Sequence, residues 1–141
     1  MKSEQSTEIQ FATIVIFITA VIWASFAIWL GTGPGALLSA FGIEEATPQM
    51  LTEIRAFYGG VELAIAGAMI MLWWRGELFA SLVIGGLPLL GSAFGRLLGL
   101  VLDGYSQVHL GFAAVELVGA AFCLAGCVTM SRAKVNQASR E

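Results

Sequence analysis

Arg55 and Arg96 lie inside apolar runs of near-bilayer length, and each is followed seven residues later by a carboxylate, Glu62 and Asp103. A guanidinium in hydrocarbon is costly and ordinarily faces a protein interior or a watery cavity, with a partner. Seven residues are close to two helical turns, so Arg55 and Glu62 are expected on one helix face, with Tyr58 between them. His109 and Glu116 repeat the spacing further along. Such a set can hold the polar or anionic head of a small molecule, brace helices as ion pairs, or pass protons. The candidate ligand-binding residues are Arg55, Tyr58, Glu62, Arg96, Asp103, His109 and Glu116. In that reading the arginines hold polar or anionic atoms, Glu62 and Glu116 orient the arginines, and Asp103 stands at the rim. His109 on its own also fits a solvated residue near a membrane surface.

Other chemistry finds no support in the residue pattern. No Ser-His-Asp or Cys-His arrangement stands out, and no glycine-rich phosphate loop follows a strand, so no catalytic residue is assigned. One histidine and scattered carboxylates lack metal-ligand spacing. Cys123 and Cys127 lie four apart in an apolar run, a spacing one helix turn cannot easily bridge with a disulfide. They read as small packing residues, with palmitoylation of Cys127 as the alternative. No basic cluster interleaved with aromatics is present, which excludes the usual nucleic-acid footprint.

Composition supplies the elements that must position these groups. The chain has 141 residues, of which 57% are hydrophobic and 12% charged, with a mean hydropathy of +0.82. Soluble domains carry about 25% charged residues. A spanning helix needs roughly 20 apolar residues. The expected fold is all-α: an integral membrane four-helix bundle with spans at about 9–30, 52–74, 78–102 and 108–130. Residues 1–8 form a polar N-terminal segment and residues 131–141 a polar tail. Four spans leave no room for a soluble domain, and the first is too long for a signal-peptide core.

Between the first two spans, residues 31–47 carry Gly31, Gly33, Pro34 and Gly35, then a short apolar stretch closed by Gly42. A brief capping or interfacial helix is expected there, with Thr32 as its cap and Pro34 in its first turn. Thr47-Pro48 reads as the start of the second span. Trp29, Trp73 and Trp74 suit interfacial belts. In the third span, Gly85, Gly86 and Pro88 predict a kink or local unwinding. Gly91, Gly95 and Gly99, spaced by four, predict a flat face for close helix approach.

Lys2, Arg75, Arg132, Lys134 and Arg140 all fall on one side of a four-span topology, and the opposite connections contain no Lys or Arg. The positive-inside rule then places both termini in the cytoplasm. The polar candidates fall together in the outer half of the membrane, on three different helices.

The segment Glu53-Ile54-Arg55-Ala56-Phe57-Tyr58-Gly59-Gly60-Val61-Glu62, with Gly95-Arg96-Leu97-Leu98-Gly99 and Asp103-Gly104, resembles the small bacterial four-span membrane proteins grouped as domain of unknown function 4345. The likeness covers about residues 11–130. The group is similar in turn to the DoxX-like four-helix membrane proteins, some linked to redox chemistry or quinones. The resemblance implies a four-helix bundle in the bacterial inner membrane and transfers no catalytic residues.

The sequence thus favours a non-enzymatic membrane protein that binds a small amphipathic or anionic molecule, a lipid or quinone, in an outer-leaflet pocket. Two other classes stand beside it. One is an accessory subunit of a homo-oligomer or larger membrane complex, its buried Arg–Glu salt bridges purely structural. The other is a small proton-coupled transporter, although the first span lacks the carboxylate such exporters use.

Overall fold

The computed structural model describes residues 2–138, with side chains for residues 6–132. Six α-helices and one π-helical segment make up the described chain: α1 (Lys2–Thr32), α2 (Gly35–Ala40), α3 (Pro48–Ile54), the π-helix (Arg55–Val61), α4 (Glu62–Trp74), α5 (Leu78–Leu102) and α6 (Gln107–Ala138). The stretches Ser6–Thr32, Pro48–Trp74, Leu78–Leu102 and Gln107–Arg132 are each long and apolar enough to cross a bilayer. The second of them is assembled from α3, the π-helix and α4. Helix α6 continues through most of the polar tail expected at 131–141, and residues 139–141 lie outside the described residues.

Helix α1 packs against α4, α6 and, across the bundle, α5, while α5 and α6 share the most extensive interface. The core between the spans consists of Ala12, Ile16, Ala20, Trp23, Ala66, Met69, Leu82 and Cys123, with Val15 and Met130 at its margins. Lipid tails are as apolar as these side chains, so the association depends on close packing and on polar contacts between helices. Three such contacts occur within the bundle. The Trp23 indole Nε1–H donates to the Gly85 carbonyl at 3.2 Å. The Ser81 hydroxyl donates to the Met69 carbonyl at 2.9 Å. Thr19 Oγ1 lies 3.7 Å from Cys123 Sγ.

Close packing rests on glycines other than those the spacing of four singled out. A Cβ at Gly86 would sit 2.7 Å from Cys123 Cβ, and one at Gly59 would sit 3.1 Å from Gly31 Cα. By contrast, no atom lies within 4 Å of where a Cβ would be at Gly91 or Gly95, and Gly99 meets only the Asp103 carboxylate, at 3.5 Å. The expected flat packing face is therefore not a helix–helix contact. Helix α5 also runs unbroken through Pro88, so the expected unwinding is absent, although Gly85 and Gly86 are both buried there.

The connections follow from local chemistry. After α4, Gly76 N–H donates to Trp73 O and Glu77 N–H to Leu72 O, both at 2.9 Å. Gly76 adopts φ +77°, the left-handed conformation this helix stop requires. Helix α2 ends the same way at Gly42. Thr47 caps α3, its hydroxyl accepting from Met50 N–H at 3.3 Å with Pro48 at the first helical position. Thr32 does not cap α2: it ends α1, its hydroxyl donating back to Ile28 O at 2.7 Å. Helix α2 lies against the end of the bundle, with Leu37 and Leu38 buried beside Leu30 and Ile54.

Candidate functional site

Under α2, the facing ends of α5 and α6 bring three polar residues together. Arg96 Nε donates to both carboxylate oxygens of Glu116, at 3.0 and 3.1 Å. Arg96 Nη1 is 3.2 Å from His109 Nδ1. A guanidinium only donates. Nδ1 therefore accepts, and His109 holds its proton on Nε2. The Arg96 guanidinium also lies over the Phe112 ring, 4.9 Å from its centroid. His109, Phe112 and Glu116 follow one another at three and four residues, so one face of α6 supplies the whole cradle. Phe41 also packs on His109, its ring tilted 34° to the imidazole with 4.6 Å between centroids.

The ion pair is partly buried rather than fully enclosed, its two side chains retaining 15% and 14% of their exposure. The guanidinium has five N–H groups. Nε–H is engaged by Glu116 and one Nη1 hydrogen by His109, while the other Nη hydrogens have no acceptor among the described residues.

Arg96 stands where two cavities meet. The outer one, about 380 Å³, is lined by polar residues that include Tyr58, Ser92, Asp103 and His109, and by the bare backbone of Gly95 and Gly99. The inner one is an apolar cleft of about 70 Å³ between α1, α4, α5 and α6, walled by Trp23, Phe26, Leu30, Leu89 and Phe112. Tyr58, Ser92 and Arg96 line both. Glu62 and Glu116 line the inner cleft, and Glu62 Oε2 is buried with no hydrogen-bond partner among the described residues.

Of the seven residues singled out by type and spacing, six line one cavity or the other: Tyr58, Glu62, Arg96, Asp103, His109 and Glu116. Asp103 is exposed at the rim. Arg55 is the exception. It is exposed, lines neither cavity, and has no ion pair among the described residues. Its expected partnership with Glu62 fails because the intervening backbone is not α-helical. Residues 55–61 form a π-helix, and accommodating one extra residue rotates the downstream helix by about 100° relative to an α-helical register. Arg55 and Glu62 therefore leave the common face that a seven-residue spacing would give them. The π-helix coincides with a close approach of two backbones, Gly59 against Gly31.

Residue spacing alone also missed Phe112, Phe41, Ser92 and the apolar walls. Phe112 was readable, since it lies on the His109–Glu116 face. Phe41 depends on how α2 folds back over α6, for which no local signal exists.

The sequence model of a family described as a domain of unknown function, DUF4345, matches residues 10–127. The chain belongs to this family. No curated protein and no solved structure matches it. The DUF4345 match spans most of all four apolar helices and every residue lining the two cavities, so the site lies wholly within the family domain.

Proposed function

We propose that this DUF4345 protein binds a small amphipathic molecule, a lipid or a quinone, in the double cavity centred on Arg96. The observation that carries the reading is the state of Arg96. It is held rigid by Glu116, His109 and Phe112, yet keeps Nη hydrogens for a further acceptor. Pre-oriented donors beside an open volume suit recognition of a phosphate or carbonyl oxygen. A volume of about 380 Å³ lies within the range of small-molecule sites. The apolar cleft beneath it suits part of a hydrophobic body. With Arg55 turned away, a strongly anionic ligand loses one of the two cations expected for it, and an amphiphile with one acceptor oxygen fits better.

In the proposed bacterial inner membrane, the basic residues at one set of helix ends support an orientation with both termini cytoplasmic, so that the cavity faces the outer leaflet. A second reading, an accessory subunit braced by the Arg96–Glu116 pair, is favoured by that pair lying in the most extensive helix interface.

The two readings separate in native mass spectrometry of protein purified in mild detergent. On the binding reading, a small-molecule adduct of the wild type is lost in the double variant Arg96→Met, Glu116→Leu, while the fold is kept. Equal adduct profiles with wild-type function in cells would leave the bracing reading.

A further inference from the structure

Two features of the site point past a generic amphiphile to the chemistry of its head group. The first is the balance of charged groups. Three carboxyl groups, Glu62, Glu116 and Asp103, line the joined cavities against one guanidinium, Arg96. That guanidinium is already engaged by Glu116. Glu62 Oε2 is buried and accepts no hydrogen bond from any described residue. A buried polar atom without a partner is destabilising and rare, so on the half-buried Glu62 this oxygen is left able to accept from a donor that enters the cleft. The second feature is the wall. Gly95 lines the outer cavity, is exposed, and has nothing within 4 Å of where a side chain would begin. Gly95 is thus the cavity-lining position of α5 next to that helix's exposed apolar residues Phe94 and Leu98.

We infer that the ligand is an amphiphile whose head carries a protonated amine, entering laterally past Gly95 so that its tail stays in the bilayer and its ammonium reaches Glu62. The inner cleft, about 70 Å³, has room for a group of that size, a water taking up roughly 30 Å³. An oxygen further along the same head meets the Nη hydrogens of Arg96 and the Nε2–H of His109. The head thus offers donors to the unsatisfied carboxylate and an acceptor to the unsatisfied donors. This rests on the binding function proposed above and adds the charge and direction of the ligand.

The test is native mass spectrometry titration of the full chain in dodecyl maltoside with four probes: dioctanoyl phosphatidylethanolamine, phosphatidylcholine and phosphatidylglycerol, and dodecylamine. Hydrogen bonds to a charged group correspond to about tenfold or more in affinity. Phosphatidylethanolamine should therefore bind about tenfold more tightly than phosphatidylcholine, whose quaternary ammonium has no N–H, and than anionic phosphatidylglycerol. Glu62→Gln should remove most of that preference, bringing the affinity for the ethanolamine lipid down towards that of phosphatidylcholine. Gly95→Leu should weaken all probes and keep the thermal stability of the wild type. Dodecylamine distinguishes the sources: affinity equal to that of the ethanolamine lipid assigns the site to free amphiphilic amines, and weaker affinity assigns it to the aminophospholipid head. Equal binding of the three phospholipids, blocked by Gly95→Leu and indifferent to Glu62→Gln, would overturn the amine inference and spare the binding function. Absence of saturable binding of any probe would sink both.

Discussion

Replacing Arg96 with methionine should destabilise the bundle, and replacing Glu116 with leucine in the same chain should restore most of the loss. Arg96 Nε sits 3.0 and 3.1 Å from the two Glu116 oxygens, and the side chains keep 15% and 14% of their exposure. Breaking a buried pair from one side ordinarily costs about 3–5 kcal/mol, because the remaining charge is left uncompensated. Residual exposure places this pair at the lower end, about 3 kcal/mol. The single variant also loses the contact over Phe112, worth about 0.5–1 kcal/mol. It leaves Glu116 and Glu62 lining the same cleft without the Arg96 charge. The double variant removes the stranded carboxylate, and apolar replacements of similar volume are often neutral. The expected coupling between the two sites is about 2–3 kcal/mol, within the range measured for groups in contact. Unfolding of wild type, both singles and the double in mixed micelles gives this quantity directly. Additive effects, with coupling below about 0.5 kcal/mol, would refute the pairing of Arg96 with Glu116.

The packing and the topology carry further expected outcomes. Gly86→Ala should lower stability by about 1–3 kcal/mol, because its Cβ would lie 2.7 Å from Cys123 Cβ. Gly91→Ala should leave the melting temperature in detergent unchanged or raised, since nothing lies within 4 Å of the new atom; a matching loss at both positions would contradict the helix packing described. Trp23→Phe removes the indole donor to Gly85 O, 3.2 Å away in the core, and should destabilise by about 1 kcal/mol in the same unfolding assay. Reporter fusions after Arg75 should read as cytoplasmic and one at Glu45 as external; the reverse would invert the proposed orientation.

The four spans were legible because apolar runs of about 20 residues broken by Gly, Pro and charges have few other solutions. On α6 the seven-residue step put His109 and Glu116 on one face, but Phe112 between them was passed over although three- and four-residue steps place it there. What escaped was set by backbone departures and tertiary approach. The π-helix at residues 55–61 turned Arg55 out of the site, and no residue pattern distinguishes Arg-Ala-Phe-Tyr-Gly-Gly-Val from an ordinary α-helical turn. The glycines at 91, 95 and 99 carry the spacing of a packing face, but whether such a face meets a neighbour depends on where α6 crosses α5. It crosses at Gly86, Gly119 and Gly126, each of which would bring a Cβ within 3.0 Å of a side chain on the other helix.

An experimental structure of the protein in lipid nanodiscs tests the central claim most directly. Density for a bound amphiphile is expected in the outer cavity, with an oxygen at hydrogen-bond distance from Arg96 Nη, a donor near Glu62 Oε2, and a tail leaving past Gly95. A cavity filled only by water, with the lipid tails uninterrupted across the Gly95 face, would contradict the binding function.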